Sequence, residues 1–186
     1  MRILCIGDSN TFGYDPRSCF GSRYPAEIRW TEGLGDYNVL NYGMNGLTIP
    51  KDSMPYRDLI SSKSPDLVIV MLGTNDLLEG ADADTTAGRM ELFLASLKET
   101  GEKIFLIAPP VMQHGDWVQS DKLIEESGKL GTLYRELAER TGILFADAEE
   151  WNVTLTFDGV HFSPAGHAAF ASGLAKRLYE IYTETI

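Results

Sequence analysis

Five short apolar runs, separated by longer segments with helical spacing, are the feature that most limits how this chain can fold. Each run is brief, rich in large apolar and β-branched residues, and without a strict alternation of polar and apolar positions. Such runs are typical of strands that are buried on both faces of a parallel sheet. The predicted strands cover residues 2–6, 37–41, 66–72, 103–108 and 143–146.

Helical spacing of apolar residues is clearest at 87–98, at 122–140 and in the segment that follows Ser163. Ser163 is suited to cap the last helix, and Pro164 is suited to its first position. Strands that alternate with helices favour right-handed crossovers, with helices on both faces of the sheet. We therefore predict a single α/β domain over 1–186, with three layers and a five-stranded parallel sheet.

Composition and charge exclude several classes of protein. The 186 residues are 44% hydrophobic and 23% charged, as in ordinary globular domains. The net charge is −11 and no basic run occurs, so we expect no nucleic-acid partner. Cys5 and Cys19 form no CxxC pair, and we expect two free thiols. Without a signal peptide or an apolar stretch near 20 residues, we expect a cytoplasmic protein with no membrane partner.

Polar segments stand where the predicted strands end. The segments 7–10, 41–46 and 73–76 follow the first three strands. In open parallel sheets, ligands bind outside the carboxyl ends of the strands. A fourth segment, 158–163, precedes the last helix and can fold over the same edge. These four segments form the candidate site.

The four segments contain the groups that acyl transfer requires. Ser9 offers a nucleophilic hydroxyl, His161 offers a base, and Asp158 lies three residues earlier and can orient the imidazole. The predicted oxyanion donors are the N–H groups of Ser9 and Gly43 and the side-chain amide of Asn75. Ser9 and Asn75 also have a structural interpretation, because Ser is a common helix cap and Asn often caps a turn.

Taken together, the four segments resemble the signature blocks of the SGNH (GDSL-type) hydrolases in order and spacing. The matching residues are Gly7-Asp8-Ser9, Gly43, Gly73-Thr74-Asn75-Asp76 and Asp158-Gly159-Val160-His161. The resemblance spans nearly the whole chain and implies a flavodoxin-like fold with strand order 2-1-3-4-5. It implies the triad and oxyanion roles given above, and neither a metal nor an organic cofactor.

The segments 3–9, 29–31 and 68–76 are most similar to the arylesterase-like branch of that family. This branch implies a small-molecule substrate, an acetyl or short-chain ester cleaved through an acyl-enzyme on Ser9, in some members with transfer of the acyl group to alcohols. A carbohydrate O-deacetylase and a thioesterase are alternatives within the family. A non-catalytic flavodoxin-like binding domain is the alternative outside the enzymes, and association into a homo-oligomer stays open.

Several residues beside the four segments are candidates for substrate contact. Asn10, where many relatives have leucine, is expected to alter the wall of the pocket, and Phe12 and Met44 are expected to contact the acyl group. Val160 and His114 are further candidates for the pocket lining. No pair among the three histidines has the spacing of a zinc site, so we expect no metal.

Overall fold

The computed structural model describes residues 1–18 and 20–183, so the prediction of a free thiol at Cys19 lies outside the described residues. The strands are β1 (Arg2–Gly7), β2 (Asn38–Gly43), β3 (Leu67–Met71), β4 (Ile104–Ala108) and β5 (Leu144–Asp147). The α-helices are α1 (Ser9–Phe12), α2 (Trp30–Gly33), α3 (Met54–Lys63), α4 (Thr74–Leu78), α5 (Ala83–Lys98), α6 (Asp121–Thr141) and α7 (Pro164–Thr183). A short 3₁₀ helix covers Ala148–Trp151.

The strands form one parallel sheet in the order β2-β1-β3-β4-β5, which confirms the predicted sheet and its topology. Gly7 at the end of β1 pairs with Gly43 on one side and with Met71 on the other. The first three strands therefore end level with one another. The residues that follow them emerge side by side at the carboxyl edge of the sheet.

Successive residues of each strand point to opposite faces, and each face has its own apolar core. Leu4 and Val68 pack in one core with side chains of α3, α5 and α6. Their neighbours Ile3 and Leu67 pack in the other core with side chains of α2 and α7. This arrangement confirms the three-layer α/β fold, and it explains why the strands lack a polar face.

The helices differ from the prediction at the short helices and at the start of α5. Helices α1 to α4 were not predicted: α1, α2 and α4 have four or five residues, and α3 buries only Ile60, so its apolar spacing is weak. Helix α5 begins four residues before the predicted start at 87, because Asp82 caps it and accepts a hydrogen bond from the N–H of Thr85 at 2.8 Å. The start of a helix that is capped by a side chain outside the apolar pattern cannot be located from periodicity alone.

The start of α7 agrees with the prediction. Pro164 is its first residue, and the Ser163 hydroxyl accepts a hydrogen bond from the N–H of Gly166 at 3.0 Å. The last helix thus begins directly after the segment 158–163. Within residues 1–18 and 20–183, no helix combines the length and the apolar character needed to cross a membrane.

Candidate active site

Ser9 is the first residue of α1, and Asp8 alone separates it from the end of β1. The cap of this helix is Asp8 rather than Ser9, since the Asp8 carboxylate accepts a hydrogen bond from the N–H of Asn10 at 2.9 Å. The N–H of Ser9 has no acceptor within the described part of the chain. Capping by its neighbour leaves both the hydroxyl and the N–H of Ser9 available for chemistry.

The structure brings Ser9, His161 and Asp158 together. Nε2 of His161 lies 3.0 Å from Oγ of Ser9, and Nδ1 lies 2.7 Å from Oδ2 of Asp158. All three residues are buried. The second carboxylate oxygen, Oδ1, accepts hydrogen bonds from the N–H groups of Val160 and His161 and from the hydroxyl of Thr156. The Asp158 carboxylate therefore holds both the imidazole and the loop that carries it.

These hydrogen bonds determine the charge of Asp158. Burial alone raises the pKa of a carboxyl group, but the bonds from the His161 ring and from the N–H groups of His161 and Val160 outweigh it and lower the pKa of Asp158 to about 2. An ionised carboxylate only accepts hydrogen bonds, so Nδ1 of His161 carries the hydrogen between them. Nε2 then presents its lone pair to the Ser9 hydroxyl, an arrangement that can remove the Ser9 proton.

Asn75 and Asp76 tie α4 to the segment that follows β2. The Asn75 amide donates one hydrogen bond to the carbonyl of Leu47 at 3.1 Å, which leaves its second amide hydrogen free. The buried Asp76 carboxylate accepts from the N–H of Ile49 at 2.9 Å and from Nη1 of Arg89 at 2.8 Å. The Asn75 amide is therefore held in place at the carboxyl edge of the sheet, next to the end of β1.

Gly43 has a different environment from the one predicted. Its N–H donates to Oδ1 of Asn41 at 2.9 Å, so it is already engaged. A Cβ atom at this position would lie 2.2 Å from the backbone nitrogen of Phe12, so the glycine is needed for close packing against α1. This geometry corrects the expectation that Gly43 is an oxyanion donor.

Gly46 lies three residues further along the same segment. It has a φ of +71°, a conformation that favours glycine, and its N–H has no acceptor among the residues that the structure describes. The sequence signal was present, because Gly46 is the second glycine of the segment 41–46. The choice between Gly43 and Gly46 as a candidate oxyanion donor required their hydrogen bonds, which the sequence does not show.

Asn10 is buried, and its side-chain amide binds backbone groups; its predicted contact with substrate stays a prediction. Its Nδ2 donates to the carbonyl of Val160 at 3.1 Å, and its Oδ1 accepts from the N–H of Phe162 at 2.9 Å. Its own carbonyl accepts from Nε1 of Trp30 at 2.9 Å. The residue after Ser9 thus binds the backbone on both sides of His161.

The other predicted contacts have mixed outcomes. The Val160 side chain is buried in the core, and only its backbone takes part in the site, so the predicted contact is corrected. The exposed His114 pairs with Asp121 at 3.0 Å, at the start of α6, which does not support a place in the pocket. Phe12 is half-buried and Met44 is exposed after β2, and their contact with an acyl group stays a prediction.

Two aromatic residues outside the predicted site contact the imidazole of His161. The ring centroid of Tyr14 lies 4.7 Å from that of His161, and the Trp117 ring lies 5.0 Å away in an edge-to-face arrangement. Trp117 belongs to the segment after β4, in which His114 is the predicted pocket residue. The sequence signal that could have identified Trp117 was its position in a segment that follows a strand. Periodicity predicts buried positions and does not predict an exposed tryptophan beside a site.

The candidate site does not coincide with the cavity at the other end of the sheet. A surface cavity of about 650 Å³ is lined by Lys103, Ile104 and Leu144, where β4 and β5 begin. The Ser9 hydroxyl lies at the opposite edge, after the end of β1. Among residues 1–18 and 20–183, no group of three or more His, Cys, Asp or Glu side chains is arranged to hold a metal ion.

Comparison with known sequences agrees with this geometry. The sequence profile of the GDSL-like lipase/acylhydrolase family matches residues 5–169, a range that includes Ser9, Asn75, Asp158 and His161. An acetylxylan esterase from Xylanibacter ruminicola is 27% identical over 219 aligned positions. The alignment includes all of this chain and only 43% of that protein, so the chain spans less than half the length of this relative.

Solved structures share the fold over nearly the full length of the chain. The aryl esterase of M. smegmatis is 25% identical, with a TM-score of 0.86 over 96% of this chain and 98% of that chain. A carbohydrate acetylesterase from Sinorhizobium meliloti is 26% identical, with a TM-score of 0.83 over 97% of this chain and 99% of that chain. The similarity therefore extends from β1 to α7.

Proposed function

Since the chain belongs to the GDSL-like lipase/acylhydrolase family of carboxylic ester hydrolases, we propose that it is a serine esterase with Ser9 as its nucleophile. The observation that carries this proposal is the buried, continuous hydrogen-bonded series from Ser9 Oγ through His161 to Asp158. The hydrogen bonds join nucleophile, base and orienting carboxylate in the order that acyl transfer requires. The substrates are small esters, with acetyl or another short acyl group.

In the acylation step, Nε2 of His161 takes the proton of the Ser9 hydroxyl while Oγ bonds to the ester carbonyl carbon. The imidazolium that forms is stabilised by the ionised Asp158. His161 then gives the proton to the alcohol oxygen as the bond between that oxygen and the carbonyl carbon breaks. The alcohol leaves, and the acyl group stays on Ser9.

The negative charge that develops on the carbonyl oxygen needs hydrogen-bond donors that are already in place. The N–H of Ser9 and the free hydrogen of the Asn75 amide are the donors that this geometry favours. The N–H of Gly46 is a third candidate, because it has no acceptor in the described part of the chain. Gly43 is left out of this set, since its N–H is engaged by Asn41.

In the deacylation step, His161 removes a proton from water, and the resulting oxygen nucleophile attacks the acyl carbon on Ser9. The acid is released as the Ser9 oxygen regains its proton from His161. An alcohol in place of water would give transfer of the acyl group by the same steps. The esterase is therefore proposed to have transferase activity when an alcohol competes with water.

A carbohydrate O-deacetylase is the second candidate within this chemistry. The names of two relatives favour it, an acetylxylan esterase and a carbohydrate acetylesterase, while the aryl esterase favours simple aryl esters. The net charge of −11 disfavours coenzyme A thioesters, which are polyanions. Acetylated sugars, aryl acetates and acyl-CoA, assayed side by side, separate these three substrate classes.

The proposal is tested with p-nitrophenyl acetate and two variants. Ser9→Ala removes the nucleophile, and Asp158→Asn removes the ionised partner of His161; each is expected to lower kcat by about 10⁴-fold. A fluorophosphonate probe is expected to label Ser9 in the unaltered protein, as read by peptide mass spectrometry. Full activity of Ser9→Ala contradicts the proposal, and an unlabelled Ser9 beside tight nucleotide binding supports the non-catalytic alternative.

A further inference from the structure

Trp117 exposes 53% of its surface although it lies directly beside a buried imidazole. Other aromatic side chains are as exposed, Phe157 among them, but the Trp117 ring also contacts the imidazole. An apolar group that approaches His161 from solvent can therefore cover the exposed part of the indole. The nearest functional atoms are those of His161, so any group that covers the indole lies next to the base.

The loop that carries Trp117 is fixed to the loop that carries His161. The N–H of Trp117 donates to the carbonyl of Asp158 at 3.1 Å, and the N–H of Asp116 donates to the carbonyl of Phe157 at 3.1 Å. Gly115 approaches so closely that a Cβ atom would lie 2.3 Å from the carbonyl carbon of Asp158. The indole is therefore held at a defined position relative to the imidazole before any substrate binds.

The chemistry of the proposed reaction identifies which part of the ester reaches this position. His161 must deliver its proton to the leaving alcohol oxygen, so the alcohol lies on the imidazole side of the carbonyl carbon. The carbonyl oxygen faces the donors of Ser9 and Asn75 instead. The indole of Trp117 and the ring of Tyr14, which both contact His161, are thus neighbours of the alcohol.

We propose that Trp117 and Tyr14 form a subsite for the leaving alcohol, and that the alcohol is an uncharged ring with a flat apolar face. A phenol ring and the C–H face of a pyranose both fit this description, and both stack on aromatic side chains. An anionic alcohol does not fit, because Asp116 lies next to Trp117 and the chain carries a net charge of −11. The subsite rests on the proposed role of Ser9 as nucleophile.

Three acetate esters test the subsite: phenyl acetate, an acetylated methyl glucoside and ethyl acetate. All three form the same acetyl-enzyme, so differences in kcat/KM report the step in which the alcohol is bound and released. Trp117→Ala is expected to lower kcat/KM by about tenfold for one or both ring esters, chiefly through KM, and by less than twofold for ethyl acetate. Trp117→Phe is expected to keep most of the activity.

Phe157→Ala is the matched control, because Phe157 is similarly exposed at 56% and belongs to the same pair of loops but has no ring contact with His161. This variant is expected to change kcat/KM by less than twofold for each of the three esters. A fall in kcat/KM of Trp117→Ala for one or both ring esters, but not for ethyl acetate, supports the subsite, and the ester affected identifies the kind of ring. Equal loss on all three esters, or no loss on any, overturns it. Failure of the proposed nucleophile is read separately, from Ser9→Ala and the fluorophosphonate probe.

Discussion

Asn10 holds the backbone on both sides of His161 with a single side chain. Its amide donates to the carbonyl of Val160 and accepts from the N–H of Phe162, at 3.1 and 2.9 Å. Because Asn10 follows Ser9 directly, one buried side chain fixes the loop of His161 relative to the proposed nucleophile. The distance of 3.0 Å between Ser9 Oγ and His161 Nε2 therefore depends on a residue that takes no part in the proton transfer.

Replacement of Asn10 by leucine is expected to lower both stability and kcat. The carbonyl of Val160 and the N–H of Phe162 lose their partners, which costs about 2–4 kcal/mol of unfolding free energy for two buried groups. A shift of the imidazole relative to Ser9 is expected to lower kcat by about tenfold or more with little change in KM. Urea unfolding and ester kinetics, both measured where the variant is folded, check the two effects.

Asn10→Asp is the companion variant, because its carboxylate still accepts from Phe162 but cannot donate to Val160. It is expected to recover part of the kcat that leucine loses. A folded leucine variant with unchanged kcat contradicts the positioning role, whatever its stability.

Replacement of Asn75 by alanine removes one donor from the proposed oxyanion site. We expect kcat for p-nitrophenyl acetate to fall by about 10²–10³-fold, because the lost hydrogen bond is strongest in the transition state. The fluorophosphonate label on Ser9 remains the check that the site is assembled. The bond from Asn75 to the Leu47 carbonyl is also lost, so the unfolding free energy is measured in parallel. A kcat within threefold of the original removes Asn75 from the oxyanion donors.

His167 is expected to make the protein less stable in acid. It is buried, its Nδ1 accepts from the N–H of Trp30, and burial, with the charge of Arg29, lowers its pKa from the ordinary 6.5 to about 4. Between these pH values the unfolded chain binds a proton that the folded chain does not bind. The unfolding free energy contributed by His167 is therefore complete above pH 6.5 and falls by about 3 kcal/mol as the pH drops through 4.

The variant His167→Asn isolates this effect, since asparagine keeps an acceptor but does not titrate. Asp8 acts in the opposite direction in the same range, because burial raises its pKa to about 6 despite the hydrogen bond from Asn10. The difference in unfolding free energy between the original protein and the variant cancels the Asp8 contribution. This difference is expected to shift in favour of the variant from pH 6.5 to pH 4 and to stay constant above pH 7.5. A difference independent of pH contradicts the prediction.

Thr11 offers a stabilising substitution next to the site. Its hydroxyl is buried without a hydrogen-bond partner, while its backbone carbonyl accepts from the side chain of Asn41. Thr11→Val replaces the hydroxyl with a methyl group of similar size and is expected to raise the unfolding free energy by about 1 kcal/mol. Thermal or urea unfolding measures the change. A loss of stability indicates that the hydroxyl has a partner, such as a buried water.

The strands and the groups that follow them were predictable because both depend on local sequence. Apolar runs such as 66–72 identify buried strands, and the position of Ser9 after one of them follows from the connectivity. The strand order came from the resemblance to a family. The role of Asn10 was not predictable, because its two bonds reach residues at the far end of the chain. The choice between Gly43 and Gly46 likewise depended on one bond, from Gly43 to Asn41.

The distance along the chain between Ser9 and His161 has a consequence for biosynthesis. These two residues are 152 positions apart. The segment that carries His161 is hydrogen-bonded to the segment that follows β4, and α7 begins directly after it. A ribosome must therefore synthesise the chain beyond residue 161 before His161 and Ser9 can meet. Contacts of such long range form late, after the loops between them have closed. With Ser9 and His161 in their proposed roles, translation intermediates that end before residue 161 cannot hydrolyse esters, so turnover reports that this part of the chain has been synthesised and folded.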